Sequence, residues 1–329
     1  MEIVMRKTIV RTSVAAQSTI PPDVLAEIKA APTQGDVIPV TQASYPFSGQ
    51  ILKAQTLTFE SGGRLILEQL GAPWLAIVAK TIKFAAPEER AAIVLPTSSI
   101  FNAPAPSHPS LGQAGQGDHG GAAKAGGQGR TGANGAPGYP GTHGQPVPTL
   151  YILADEILTQ PGNVPPDFVD LYIEVRGIDG SSGGIGQSGQ AGGVGGSGGP
   201  SDWNGFYCEA GAGDGGRGGT AGTGGNGGPG GNGSNGGTVF YGGSNAAVNL
   251  FEYSKVNNLQ GRGGSGGLSG SNGNPGSGGP RGEHRGDCEG GVQGAPGSSS
   301  PAAPQPGASG TDGQRGLVFK GSVAVGGLF

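Results

Sequence analysis

Residues 177–199 read GIDGSSGGIGQSGQAGGVGGSGG, and glycine occupies every third position of this stretch. The phase lapses over residues 200–212, resumes at Gly213 and closes at Gly237. An α-helix repeats every 3.6 residues and a strand every two, whereas the polyproline II helix has three residues per turn. The stretch therefore predicts an extended helix of the polyglycine type, with one face of bare backbone.

Such a helix makes no internal hydrogen bonds, so its N–H and C=O groups must bind water or neighbouring segments. Three states of the chain fit this need: a side-by-side bundle of these helices, a collagen-type trimer, and a flexible linker. Many triplets carry a second glycine, as at Gly215-Gly216 and Gly227-Gly228. We expect the bundle, because two bare edges suit several neighbours and a linker need not hold its phase.

Two further tracts share the three-residue period. One falls within residues 112–146 and is richer in proline, and the other within residues 261–316 loses its phase over residues 283–290. Apolar and β-branched runs separate the tracts and predict strands at residues 56–59, 64–67, 75–82, 92–95, 150–158, 169–175, 238–241, 248–256 and 317–320. The expected fold is mostly β with almost no α-helix: short stacked strands form a solenoid or a sandwich, and polyglycine helices project from it as a bundle.

The domain organisation follows from where the tracts lie. Strands and glycine tracts alternate from residue 47 to residue 329, so we expect a single domain that contains the tracts 112–146, 177–237 and 261–316. Residues 1–46 form an N-terminal arm, which either caps one end of the core or docks on another subunit. Pro22 suits the first turn of a short helix in this arm.

Composition excludes several partners. Of the 329 residues, 73 are glycine, about three times the usual share, and the net charge is only −4. No basic patch indicates nucleic acid, and no apolar run reaches the ~20 residues of a membrane span. The N-terminus has no apolar region typical of a signal peptide, yet the expected location is extracellular or on a virion surface.

Cys208 and Cys288 lie in the phase breaks of the second and third tracts. If both tracts start from neighbouring strands, their outward runs end at similar heights, which permits a disulfide. Two free thiols are the alternative. A bond would imply an oxidising compartment, and two cysteines are too few for a zinc site.

The same two phase breaks concentrate side chains suited to recognition. These candidate binding residues are Trp203, Phe206, Tyr207, His284, Arg285 and Asp287. Aromatic residues and arginine are the usual anchors of binding sites, although the aromatics could instead pack as a lid over the helix ends. The four histidines show no regular spacing to carboxylates, so we predict no catalytic residue, no metal site and no cofactor.

The phased glycine tracts with aromatic and charged tips resemble the receptor-binding adhesins of T-even-type phage tail fibres. In that family, polyglycine helices form a sandwich and variable distal loops choose the host receptor. The resemblance implies that residues 203–208 and 283–288 face the receptor and that residues 1–46 dock on the fibre. The long interleaved strands depart from the family's pattern.

Three functions are compatible with these features. The first is a non-enzymatic adhesin or fibre component whose tip loops bind a cell-surface receptor or glycan. The second is a subunit that binds further copies of itself in an extracellular filament or coat, through exposed strand ends. The third, least favoured, is a glycan-active β-solenoid enzyme, because no clustered carboxylates on adjacent strands are apparent.

Overall fold

Two parallel sheets form the centre of the molecule, in a computed structural model that describes residues 19–100, 102–160 and 162–329. The six-stranded sheet has the spatial order β1 (Gly35–Val40), β3 (Ile51–Phe59), β5 (Trp74–Phe84), β7 (Thr149–Thr159), β11 (Val239–Gly243) and β13 (Val318–Ser322). The five-stranded sheet has the order β12 (Lys255–Asn257), β8 (Leu171–Glu174), β6 (Ala91–Val94), β4 (Arg64–Leu67) and β2 (Tyr45–Phe47). The chain alternates between the two sheets as it proceeds.

Helices and short elements complete the described fold. The α-helices are α1 (Pro22–Ala30) and α2 (Asn245–Phe251), and 3₁₀ turns span Pro96–Ser99 and Val325–Leu328. A separate antiparallel pair joins β9 (Asp202–Trp203) to β10 (Cys208–Ala210). Pro22 begins α1, as expected, because its missing N–H would be unpaired there in any case.

Both faces of the six-stranded sheet are buried. One buried cluster contains side chains of both sheets, such as Leu57 and Ile93. A second cluster covers the opposite face, where Ile28 of α1 and Leu328 of the C-terminal turn pack against Val78 of β5. The alternation of side chains along β5 supplies both clusters, which explains why the first six residues of this strand are all apolar and buried.

The fold class expected from the sequence is wrong. The described residues form two large parallel sheets with two short α-helices, an α/β-like arrangement, and they contain neither a closed solenoid nor a bundle of helices. The sequence predicts short strands, yet β5 and β7 each have 11 residues and pair in parallel along their length. Of the strand expected at residues 248–256, residues 248–251 instead end α2, whose N-terminus is capped by the Ser244 hydroxyl, and only residues 255–256 lie in a strand, β12.

The expected arm contributes to the sheets. β1 pairs with β3 at the edge of the six-stranded sheet, and the boundary after residue 46 falls within β2. Within the described part of the arm, Ile20 and α1 lie over a sheet face as a cap would. Residues 1–18 of the arm lie outside the described residues.

Six glycine-rich segments, called G1 to G6, form neither helices nor strands. They comprise residues 102–121, 124–148, 177–199, 211–237, 258–282 and 291–316 in that order. Along most of their length, N–H groups three residues apart donate to carbonyl oxygens of a neighbouring segment. Gly216 and Gly219 of G4, for example, donate to Gly196 and Gly193 of G3 at 2.7 Å. The segments therefore form a connected array, called the glycine array.

The glycine array continues the two sheets. G1, G3 and G5 follow the strands β6, β8 and β12, whereas G2, G4 and G6 lead into β7, β11 and β13. Hydrogen bonds join G1 to G3 and G3 to G5 in one row, and G2 to G4 and G4 to G6 in a second row. Further bonds join the rows, so G3 and G4 each contact four other segments. The order of the segments repeats the order of the strands.

Glycine is needed where the segments touch. A Cβ atom built on Gly222 or Gly225 would lie less than 3.0 Å from the backbone of Ala133 or Ala136 in G2. Cβ atoms essentially never approach other heavy atoms so closely. The three-residue period of the sequence therefore marks the backbone positions that face a neighbouring segment.

Candidate binding site

Three turns of the chain meet at one end of the glycine array. They connect G1 to G2, G3 to G4 and G5 to G6, whereas the other ends of these segments join the strands. The end where the turns meet, called the tip, comprises residues 121–124, 200–210 and 283–290. The N–H of Ala123 donates to the carbonyl of Pro200 at 2.7 Å, and the N–H of Ser201 donates to the carbonyl of Glu283 at 2.9 Å. The tip is therefore one connected surface built from three distant parts of the sequence.

Ser201 links two of the three turns. Its side chain is 2% exposed, and its hydroxyl oxygen accepts from the N–H of Arg285 at 2.7 Å. Together with the backbone bond to Glu283, this contact fixes the residues 283–290 against the start of the aromatic turn. Sequence reasoning missed Ser201, although its position directly after Pro200 in a phase break was a usable signal.

The structure joins Cys208 to Cys288, the pair that their positions in the sequence suggested. Their Cα atoms lie 5.1 Å apart, and the bond closes a loop with a sequence separation of 80 residues. Cys288 is 1% exposed, whereas Cys208 lies at the surface on β10. The disulfide therefore ties the hairpin of β9 and β10 to the turn that follows G5.

Trp203 packs against the backbone of the turn formed by residues 283–290. A Cβ atom on Gly286 would lie 2.5–2.8 Å from three atoms of the indole ring, so only glycine leaves room for Trp203. Gly286 also has a φ of +57°, which a glycine adopts without strain. The indole is half-buried and anchors the hairpin, which gives it a structural role at the tip.

Phe206 and Tyr207 project from the hairpin and are 92% and 63% exposed. The side-chain oxygen of Asn204 accepts from both of their N–H groups, at 3.0 and 3.1 Å, and its amide nitrogen donates to Glu209 at 2.8 Å. Gly205, which lies between Asn204 and Phe206 in the chain, has a φ of +97°. The turn that presents the two rings is thus held by its own side chain.

The charged residues of the tip are exposed and mixed in sign. Arg285 lies 3.9 Å from Glu283, the His284 ring contacts the carbonyl oxygen of Gly290, and Asp287 is exposed. The structure thus places all six sequence-predicted binding residues at the tip. Trp203 packs against the turn 283–290, whereas Phe206 and Tyr207 have no ring partner among the described residues.

Two features are absent from the described part of the chain. Residues 19–100, 102–160 and 162–329 contain no group of three or more His, Cys, Asp or Glu side chains placed to hold a metal ion. No helix within these ranges has the length and apolar character needed to cross a membrane. The disulfide is compatible with an extracellular protein.

Comparison with family models, with curated protein sequences and with solved structures finds no match to this chain. The tip is therefore the feature from which a function can be inferred.

Proposed function

We propose that the protein is a non-enzymatic surface-binding protein, an adhesin or fibre component, whose tip binds a receptor or glycan on a cell surface. One observation carries this proposal: Phe206 and Tyr207 are exposed on a hairpin that a disulfide and an asparagine side chain hold in place.

The exposure of Phe206 argues for a partner. Burying a phenylalanine side chain stabilises a structure by about 1.5–3 kcal/mol, and Phe206 contributes almost none of this to the fold. Aromatic residues dominate the energetics of binding interfaces. Because the turn is already ordered, a partner would meet a small entropic cost on binding.

We further propose that the protein works outside the cell or on a virion surface, as part of a larger fibre. The disulfide supports an oxidising location, because cytosolic thiols are kept reduced. The resemblance to T-even-type phage adhesins points the same way, since that family presents its receptor-binding loops at the end of glycine-rich tracts. In this proposal the array holds the tip at a distance from the sheets.

The test is direct binding to cells and glycans. Fluorescently labelled protein would be applied to a printed panel of immobilised glycans and to a panel of bacterial species, and the bound label would be measured. We expect the wild-type protein to bind at least one surface and the double variant Phe206→Ala/Tyr207→Ala to lose that binding. The matched control is Ile185→Ala/Leu268→Ala, which removes two side chains that are 52% and 68% exposed on the glycine array.

Two results would contradict the proposal. One is a wild-type protein that binds none of the glycans and cells. The other is equal loss of binding in the two double variants, which would show that exposed apolar side chains act without regard to their position.

The second candidate function is self-assembly into an extracellular filament or coat. Its support is the open edges of the sheets: within the described residues, β1 and β13 end one sheet and β2 and β12 end the other. Unpaired edges can add strands of another copy. Pro39 in β1 lacks an N–H donor, a feature that natural edge strands use against such pairing.

Electron microscopy of the purified protein separates the two candidates. Discrete particles favour the adhesin, and long regular polymers favour the filament subunit. A glycan-active enzyme remains the least favoured prediction, and turnover of a glycan that the protein binds would revive it.

A further inference from the structure

A groove of about 650 Å³ lies on the outer face of the five-stranded sheet. Its lining comes from the outward-facing positions of four neighbouring strands, β4, β6, β8 and β12. Two further polar residues, Arg90 and Arg176, lie just outside these strands. The polar residues are Arg64, Arg90, Tyr172, Glu174, Arg176 and Asn257. None of them belongs to the tip, so this groove is a separate feature of the molecule.

Glu174 is the central acidic group of the groove. It is 8% exposed, and its carboxylate accepts from the side-chain amide of Asn257 at 3.0 and 2.9 Å and from the hydroxyl of Tyr172. Burial, and then the hydrogen bond to Glu174, raise the pKa of the Tyr172 phenol. The floor of the groove is thus a fixed network of hydrogen-bonding groups.

Three guanidinium groups surround this network. Arg90 lies 3.3 Å from Asp170, and Arg176 lies 2.8 Å from Asp179, so both charges are compensated. Arg64 is exposed on β4 and makes no ion pair within the described residues. The groove therefore contains one uncompensated cation beside a polar floor with a carboxylate.

We propose that this groove binds an oligosaccharide whose sugars carry acid groups. A simple anion would pair with Arg64 but would be repelled by Glu174. An acidic sugar satisfies both, because its acid group pairs with Arg64 while its hydroxyls donate to the Glu174 carboxylate and to the side-chain oxygen of Asn257. The apolar side chains of Ala92 and Val94 offer contact to the ring carbons.

The groove is also long enough, across the strands, to hold a chain of linked sugars. Its lining residues come from successive strands β4, β6, β8 and β12, which pair in parallel register. Neighbouring strands lie about 4.8 Å apart, so the lining extends for about 14 Å across them. A ligand of several linked units is therefore favoured over a single small ion.

The experiment measures binding to the full-length protein by isothermal titration calorimetry. The probes are oligogalacturonate, which is carboxylated, a heparin-derived oligosaccharide, which is sulfated, and maltohexaose, which is neutral. We expect an acidic probe to bind and Arg64→Gln to weaken this binding about tenfold or more, because a charge-assisted hydrogen bond is lost. The matched control is Arg281→Gln, which removes an exposed charge of the same type from the glycine array.

The outcomes separate this site from the tip. An acidic probe that binds the Phe206→Ala/Tyr207→Ala variant as well as the wild type supports the groove, and the better of the two probes identifies the acid group. The proposal is overturned if neither acidic probe binds, if maltohexaose binds equally, or if Arg64→Gln and Arg281→Gln have the same effect. It is also overturned if the tip variant abolishes binding.

Discussion

Gly219 in G4 offers the sharpest test of how the glycine array is built. Its N–H donates to Gly193 of G3 at 2.7 Å, and a Cβ atom on it would lie 2.7 Å from the carbonyl carbon of Arg130 in G2. The Arg130 oxygen would be closer still. Because ordinary contacts of this kind begin at 3.4 Å, the substitution Gly219→Ala requires G2 and G4 to separate by about 0.7 Å or more.

The expected loss of stability follows from this displacement. Overpacking of this kind costs about 1–3 kcal/mol. Separation also weakens the hydrogen bonds from Gly193 to Arg130, 2.8 Å, and from Gly129 to Arg217, 2.9 Å, at about 1 kcal/mol each. Alanine offsets about 0.4–1 kcal/mol by restricting the unfolded chain. We therefore expect Gly219→Ala to lower the free energy of unfolding by about 2–5 kcal/mol.

The assay is urea unfolding followed by circular dichroism, with Gly112→Ala as the matched control. Gly112 lies in G1, and a Cβ atom there would meet nothing within 4 Å, so its replacement should change stability by less than about 0.5 kcal/mol. Equal stabilities of the two variants would refute the reasoning, because the two sites differ chiefly in the closeness of neighbouring backbone.

Three further predictions concern the disulfide and two buried side chains. Replacing Cys208 and Cys288 with serine should lower the free energy of unfolding by about 4 kcal/mol, and reductant should then have no further effect in denaturant titrations. Lys53→Met should cost about 2–3 kcal/mol in the same assay, whereas Lys80→Met should not, because the Lys53 ammonium donates to three carbonyls at the end of α1 at 2.8–3.2 Å. Burial raises the pKa of the Tyr241 phenol above its unfolded value of about 10, so its stabilising contribution is complete below pH 10 and is lost as pH rises through the folded pKa. Tyr241→Phe should therefore make thermal stability less sensitive to pH above 10, and an unchanged slope would contradict this.

The sequence indicates where backbone must meet backbone, but it does not indicate which backbone. The glycine phase at Gly216 and Gly219 marks close contact correctly, because only a missing side chain permits it. Nothing in that phase states that G4 contacts G2, G3, G5 and G6, since every tract has the same period. The segments neighbour one another in the same order as the strands that they join. Strand order depends on contacts between residues far apart in the sequence, so the period of one tract does not indicate it.

The helices and edge strands show where local signals compete. Residues 248–256 contain apolar residues that suit a strand, yet Ser244 caps a helix that begins at Asn245. β1 contains Gly35 and Pro39, which are uncommon in strands, and its place at the edge of the sheet makes both tolerable. Strand propensity alone could not have identified either element.

The two candidate sites differ in how far the sequence predicted them. The aromatic residues of the tip stand out, because they interrupt a tract that otherwise lacks large side chains. The groove gives a weaker signal: Tyr172 and Glu174 alternate with Leu171 and Ile173, which indicates an outward polar face. Arg64 joins that face only through the parallel pairing of β4 with β6, which the sequence does not indicate.

Hydrogen exchange at the backbone amides of G4 and G5 tests the central claim, that the tip is supported by an array of segments joined through backbone hydrogen bonds. Exchange would be followed by NMR at neutral pH. The account predicts slow exchange at the glycine amides that donate between segments, such as Gly216, Gly219 and Gly276. Exchange at the rate of an unstructured chain throughout residues 211–237 and 258–282 would contradict it.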